Sequence, residues 1–140
     1  EGVYIIASND VLLEKNIFSR NNIERITGYY PAAVKIFNQC YRVTCRDNLI
    51  TDLPWSNGIW YDVGNVDGVF VNNWVENALD GFFFEISKGA TVAGSVFVNC
   101  DKGIRSLNAS KPRCLSFCVV IQTLPLNLFK RLPITAARAC

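Results

Sequence analysis

The stretch VDGVFVNNWVENALDGFFFEISKGATVAGSVFVNCDKGI, residues 66–104, contains one pattern of apolar residues twice. The step along the chain from Phe70 to Val92 is the same as the step from Val75 to Phe97. An asparagine precedes Val75 by two places, and a serine precedes Phe97 by the same two places. Repetition at a fixed step of this size is typical of proteins built from stacked, similar units.

The same pattern extends through residues 1–110. One apolar column contains Leu13, Cys45, Phe70 and Val92; the next contains Asn16, Asn48, Asn73 and Ser95; and a third contains Phe18, Ile50, Val75 and Phe97. A second set of segments lies between these and starts at Val3, Val34, Ile59, Phe82 and Ile104. Both sets follow a period of roughly 22–25 residues, within the range of known repeat proteins, with one early insertion.

This spacing predicts an all-β solenoid. Short strands about every eleven residues, with Asn and Gly turns and no helical pattern between them, fit coils that each add one strand to two or three parallel sheets. Asparagines at one turn position would stack and bond along the coils. An antiparallel sandwich has similar strand spacing. It would not explain why the columns of this sequence match at one step per coil rather than at alternating offsets. We expect about four to five coils.

The cadence V-x-x-N-x-V/F-x-N-x-x-x-G-I/F in residues 66–104 resembles the right-handed parallel β-helix repeats of the pectin-lyase-like group. The resemblance covers roughly residues 1–110. It implies a right-handed parallel β-helix and a secreted or cell-surface protein that acts on polysaccharides. The group contains lyases, hydrolases and non-catalytic proteins, so the fold does not choose among these functions.

The segment DGFFFEIS, residues 80–87, predicts which side chains face the core. Neighbouring side chains of a strand point to opposite faces. Phe82 and Phe84 should therefore lie inside the solenoid, together with Phe70, Val75 and Ile59. The side chains that alternate with them should face outward and be clearly more exposed; they include Trp60, Asp62, Phe83 and Glu85.

The outward face contains candidate catalytic residues. One column runs through Tyr4, Lys35, Trp60, Phe83 and Arg105, and the column beside it contains Asp62 and Glu85. At a strand spacing of about 4.8 Å the two carboxyl groups should be roughly 5–6 Å apart, which suits a retaining glycosidase pair or a shared Ca²⁺ ion. Like charges this close should raise the pKa of one carboxyl and make it a useful acid or base.

The same face suggests an acidic polysaccharide as partner. Trp60, Phe83 and Tyr4 would form a platform for sugar rings, and Lys35 and Arg105 would bind the carboxylate of a uronic acid. The insertion NNIERITGYYPAA, residues 21–33, and the turn DLPWSNG, residues 52–58, would wall a groove. The alternative is a non-catalytic structural or adhesive solenoid whose aromatic residues are covered and whose acids are merely ion-paired.

Composition argues against several other classes. Residues 1–110 contain twelve acidic and nine basic residues, a net charge of −3, which argues against binding nucleic acid. No apolar run approaches the length of a membrane span. The chain has no histidine, which excludes a Ser-His-Asp triad within it, and its six cysteines lack the C-x-x-C spacing of zinc sites. We expect no cofactor other than the Ca²⁺ considered above.

The composition changes at residue 111. Residues 111–140 contain five basic residues, no acidic residue and no glycine. We divide the chain into β-helix coils, residues 1–110, and an atypical tail, residues 111–140, which is either a cap on the open end of the solenoid or a segment from outside the family. Because the chain begins within a repeat, we also expect it to be part of a longer protein.

Overall fold

The computed structural model describes residues 2–28, 31–111, 113–114 and 118–122, with the side chains of residues 113 and 114 excepted. Its strands form three parallel sheets, and each sheet has five strands. Sheet 1 contains β1 (Val3–Ile6), β4 (Ala32–Phe37), β7 (Asn57–Tyr61), β10 (Asp80–Glu85) and β13 (Lys102–Leu107). Sheet 2 contains β2 (Leu12–Glu14), β5 (Thr44–Arg46), β8 (Val69–Val71), β11 (Thr91–Ala93) and β14 (Arg113–Cys114). Sheet 3 contains β3 (Ile17–Ser19), β6 (Leu49–Thr51), β9 (Trp74–Glu76), β12 (Val96–Val98) and β15 (Val119–Ile121).

The predicted fold class and register are confirmed. Each coil adds one strand to each sheet, and every strand pairs with the equivalent strand of the next coil. Phe82 lies opposite Ile59 and Ile104, and Phe70 lies opposite Cys45 and Val92. Because the pairing is parallel and in step with the repeat, a residue's neighbour across the sheet stands one full coil away along the chain.

The solenoid interior is the main hydrophobic core. Phe70, Val75, Ile59, Phe82 and Phe84 are all buried, as predicted. The ring of Phe70 lies 4.8 Å from that of Phe82 and 6.0 Å from that of Phe97, centroid to centroid. Buried apolar surface of this extent is the main stabilising contribution to such a fold.

The asparagine ladder is also present. The backbone N–H of Asn16 donates to Asn48 Oδ1 at 3.0 Å, that of Asn48 donates to Asn73 Oδ1 at 3.0 Å, and that of Asn73 donates to Ser95 Oγ at 3.1 Å. Each side chain thus satisfies a backbone donor of the preceding coil at a buried turn, where an unpaired N–H would be costly. The residues just before them in the turn have positive φ, which asparagine and glycine tolerate best; they are Lys15, Asp47, Asn72 and Gly94.

Glycine at the start of sheet 1 lets adjacent coils approach closely. A Cβ atom at Gly81 would lie 2.5 Å from the ring of Phe97 and 2.8 Å from the carbonyl oxygen of Gly103. Only a residue without a side chain fits there, which explains the glycine in the repeated G-I/F pair.

The coils continue beyond residue 111. β14 pairs with β11, and β15 pairs with β12, so that Val119, Val120 and Ile121 lie opposite Val96, Phe97 and Val98. The column pattern therefore extends further than the sequence indicated. Residues 123–140, the larger part of the predicted tail, lie outside the described residues. Among the described residues, no helix is long and apolar enough to cross a membrane.

Candidate functional site

Trp60 and Phe83 point outward from sheet 1 but are buried, so the prediction that they are exposed is wrong. Trp60 is 3% exposed and Phe83 is 4% exposed. Their rings stack with centroids 5.0 Å apart and an interplanar angle of 17°. Together with Ala32 they form a second hydrophobic cluster outside the main core. The rings are therefore not an open platform on which a sugar would stack.

Two cations close the ends of this stack. Lys35 Nζ lies 3.9 Å from the centroid of Trp60, and the guanidinium carbon of Arg105 lies 4.5 Å from the centroid of Phe83. The four residues occupy one position on four successive coils, and we call this column the outward ladder. Parallel strands about 4.8 Å apart bring flat groups to stacking distance, and cations bind favourably over ring faces.

Lys35 and Asp62 form a buried ion pair. Lys35 Nζ lies 3.3 Å from Asp62 Oδ2, and both side chains are 11% exposed. The prediction that Asp62 is clearly exposed is therefore also wrong. A carboxylate held by an ammonium group at this depth is poorly placed to attack a substrate.

Glu85 remains partly exposed beside this pair. The pKa of its carboxyl group is raised, chiefly by desolvation and next by the nearby charge of Asp62, while Arg105, the Trp60 side chain and Lys35 lower it. The predicted effect of two close carboxylates on a pKa is confirmed, although burial contributes more.

Arg105 takes part in a second ion-pair cluster that the sequence did not reveal. Its Nη1 donates to Asp80 Oδ2 at 3.0 Å, and Lys102 Nζ lies 3.7 Å from Asp80 Oδ1. Asp80 itself is buried, and its backbone N–H donates to Asn57 Oδ1. Lys102 lies directly opposite Asp80 in the register, one repeat step later in the chain. This pairing of opposite charges one repeat step apart is visible in the sequence and could have predicted the ion-pair cluster.

A cavity of about 250 Å³ adjoins this cluster. It is lined by Pro31, Asn57, Leu79, Asp80, Phe83, Asp101, Lys102 and Arg105, and we call it the Arg105 cavity. Arg105 and Lys102 are 39% and 58% exposed at their side chains, so both remain accessible to a ligand. Of the predicted site residues, the structure brings Phe83 and Arg105 to this cavity.

A second cavity, of about 410 Å³, lies next to the first. It is lined by Asp52, Pro54, Asn77, Ala78, Leu79, Asn99 and Asp101, and we call it the Asp52 cavity. Asp52 and Pro54 belong to the turn that was expected to wall a groove, and Pro31 brings the early insertion to the first cavity. The two excursions also contact each other, because Asn22 Nδ2 donates to the carbonyl oxygen of Trp55 at 2.8 Å.

Tyr4 does not join the aromatic stack. It is 49% exposed and lies opposite Lys35 in the register, so that Lys35 separates it from Trp60. Its ring packs at a tilt on Phe37 with the centroids 5.8 Å apart.

The residues at Asp62 and Glu85 fit a calcium ion poorly. Lys35 already neutralises Asp62, whereas Ca²⁺ takes six to eight oxygen ligands. Within the described part of the chain, no group of three or more His, Cys, Asp or Glu side chains is placed to hold a metal ion.

Comparison with known proteins identifies the family. The sequence model of the family described as "Right handed beta helix region" matches residues 1–114 of the 140. The chain therefore belongs to the right-handed β-helix family. No curated protein and no solved structure matches the chain.

Proposed function

Taking membership of the right-handed β-helix family as the premise, we propose that this protein binds an acidic polysaccharide at the Arg105 cavity. Arg105 and Lys102 bind the carboxylate of a uronic acid there. The site lies at the end of sheet 1 where its strands begin, away from the Asp62–Glu85 end. As expected from the resemblance to pectin-lyase-like proteins, such a protein would act outside the cell.

The observation that carries this proposal is the charge balance at Asp80. Arg105 and Lys102 share the one buried carboxylate of Asp80, so these three side chains carry a surplus positive charge, and Asp101 adds a second carboxylate to the lining of the cavity. Asp80 also fixes the orientation of the Arg105 guanidinium through one of its nitrogens, and the other N–H donors of Arg105 form no hydrogen bond with the described part of the chain and can bind a ligand. A planar guanidinium is well suited to a carboxylate.

We propose binding without cleavage. The predicted acid pair is not equivalent to a glycosidase pair, because Asp62 is buried and ion-paired with Lys35. Glu85 has a raised pKa and partial exposure, but one carboxyl group does not supply both an acid and a nucleophile.

Binding of oligogalacturonate, alginate and glycosaminoglycan fragments, measured by isothermal titration calorimetry, tests the proposal. We expect at least one of these acidic glycans to bind. R105Q and K102Q should each weaken that binding by about tenfold, or ~1.4 kcal/mol. K88Q removes an exposed lysine of another turn and should leave binding unchanged.

K102Q guards against a folding artefact, since Lys102 is well exposed and Arg105 would still pair with Asp80. Absence of affinity for the whole panel would refute the proposal. Binding that neither R105Q nor K102Q weakens would place the site elsewhere.

The second candidate is a non-catalytic structural solenoid, and the burial of the outward ladder favours it. Lys35, Trp60 and Phe83 occupy one another's faces and are all buried. Such a ladder stabilises sheet 1 without requiring a ligand. In that case substitutions of the ladder would change the free energy of unfolding, and the glycan panel would give no binding.

A further inference from the structure

The two cavities adjoin and differ in charge. Leu79 and Asp101 line both of them, so the Arg105 cavity and the Asp52 cavity are adjacent, and we call the two together the groove. The larger cavity falls within the range of about 300–1,000 Å³ that is usual for small-molecule sites. The smaller one is lined by two cations and two carboxylates, whereas the larger one is lined by two carboxylates and no lysine or arginine.

The polar groups of the Asp52 cavity come from equivalent positions on successive coils. Asp52, Asn77 and Asn99 all have positive φ, between 50° and 57°. Asn99 Nδ2 donates to Asn77 Oδ1 at 2.6 Å, so the two amides are fixed relative to each other. The groove is therefore built by the repeat itself, with one polar residue from each of three coils.

The two carboxylates of this cavity are available as acceptors. Neither Asp52 nor Asp101 forms an ion pair with another residue in the described ranges. Ionised carboxylates accept hydrogen bonds and donate none. They would hold the hydroxyl groups of a neutral sugar, and they would repel a second uronate.

From this arrangement we propose that the groove selects an alternating polysaccharide, in which a uronic acid is followed by a neutral, hydroxyl-rich sugar. The uronate lies against Arg105 and Lys102, the neutral sugar lies against Asp52, and Asp101 lies between the two subsites. This inference rests on the proposed function and adds the class of ligand. It distinguishes alternating copolymers from homopolymers of uronic acid, in which every residue is charged.

The test compares two probes of equal length: hyaluronan oligosaccharides, which alternate glucuronate with N-acetylglucosamine, and oligogalacturonate, which is uronic acid throughout. The unsubstituted protein should bind the hyaluronan probe about tenfold more tightly. D52N should narrow this preference by raising affinity for oligogalacturonate, because it removes a charge that lines only the Asp52 cavity, whereas D101N should raise the affinity for both probes, because Asp101 lines both cavities. Asparagine also tolerates the positive φ of residue 52.

D67N is the matched control. Asp67 is exposed, has a φ of 55° like the 57° of Asp52, and lines neither cavity. It should change neither affinity. Equal or tighter binding of oligogalacturonate by the unsubstituted protein would overturn this inference and leave the proposed function standing. Absence of binding by both probes and by alginate would overturn both.

Discussion

At the residue scale, Glu85 shows how an outward position acquires an unusual environment. Its neighbours are the buried Asp62 and Trp60 on the preceding coil and the buried Phe83 on its own strand. Desolvation and the charge of Asp62 raise the pKa of its carboxyl group. The folded state therefore holds the proton of Glu85 to a higher pH than the unfolded state does.

This difference predicts a pH-dependent effect of E85Q. A raised folded-state pKa makes the folded state bind more protons, so stability falls as the pH rises through the titration of Glu85. At pH 7 the E85Q protein should therefore have a larger free energy of unfolding than the unsubstituted protein. The difference should shrink as the pH falls through the titration of Glu85 and should vanish below about 4, where glutamate is neutral in both states.

Urea unfolding at several pH values measures this effect. E24Q is the control for the loss of one negative charge, since Glu24 is exposed in the insertion. An E85Q protein that is less stable than the unsubstituted protein at pH 7 would contradict the environment described for Glu85.

At the scale of the element, sheet 1 is stabilised on both of its faces. Inside, the phenylalanine rings pack in the core; outside, the outward ladder places a cation, two aromatic rings and a second cation in one column. Lys35 contributes twice, because it caps the Trp60 ring and neutralises Asp62.

A double-mutant cycle on Lys35 and Asp62 tests the importance of this pair. K35M or D62N alone should lower the free energy of unfolding by about 3–5 kcal/mol, because each leaves a buried charge without its partner. The double variant K35M/D62N should lose much less than the sum. Methionine keeps most of the apolar stem of lysine over the Trp60 ring.

The more exposed pair of Glu14 and Arg46 provides the matched cycle. These residues face each other on β2 and β5 with Arg46 Nη2 2.8 Å from Glu14 Oε1, and their side chains are 29% (Glu14) and 47% (Arg46) exposed. Coupling there should be below about 1 kcal/mol. Equal coupling energies in both cycles would show that burial of the Lys35–Asp62 pair has no energetic consequence.

Sequence reasoning predicted the direction of each side chain on sheet 1 but not its exposure. Direction follows from the alternation of a strand, which placed Phe82 inside and Phe83 outside correctly. Exposure depends on what stacks against a residue from the next coil. The presence of Lys35 and Arg105 at the two ends of the aromatic column was visible in the alignment, and it indicates capping as readily as sugar binding.

Asp80 and Lys102 were missed for a different reason. The alignment of these segments began at the first apolar residue, and Asp80 and Lys102 stand two places before it. Strands β14 and β15, which follow residue 111, were missed because the spacing persists there without the usual glycines and asparagines. The turn asparagines, in contrast, were predicted because the same amide recurs at one step of the repeat.

At the scale of the whole molecule, the stacking of coils assembles the groove from distant parts of the sequence. Asp52, Asp80 and Arg105 belong to three successive coils, and each is separated from the next by at least one full repeat step. No single coil contains the site, and a shift of register between coils would separate its members. The fold and the proposed binding site are therefore specified by the same repeat.

The claim central to this account is that outward-facing Trp60 is sealed within a ladder and is not an open sugar platform. The chain has three tryptophans, so W55F/W74F leaves Trp60 as the only one. Acrylamide quenching of this variant should be weak and its emission blue-shifted. W60F/W74F leaves Trp55, which is 42% exposed, as the reference and should be quenched readily. Quenching of Trp60 as strong as that of Trp55 would contradict the account.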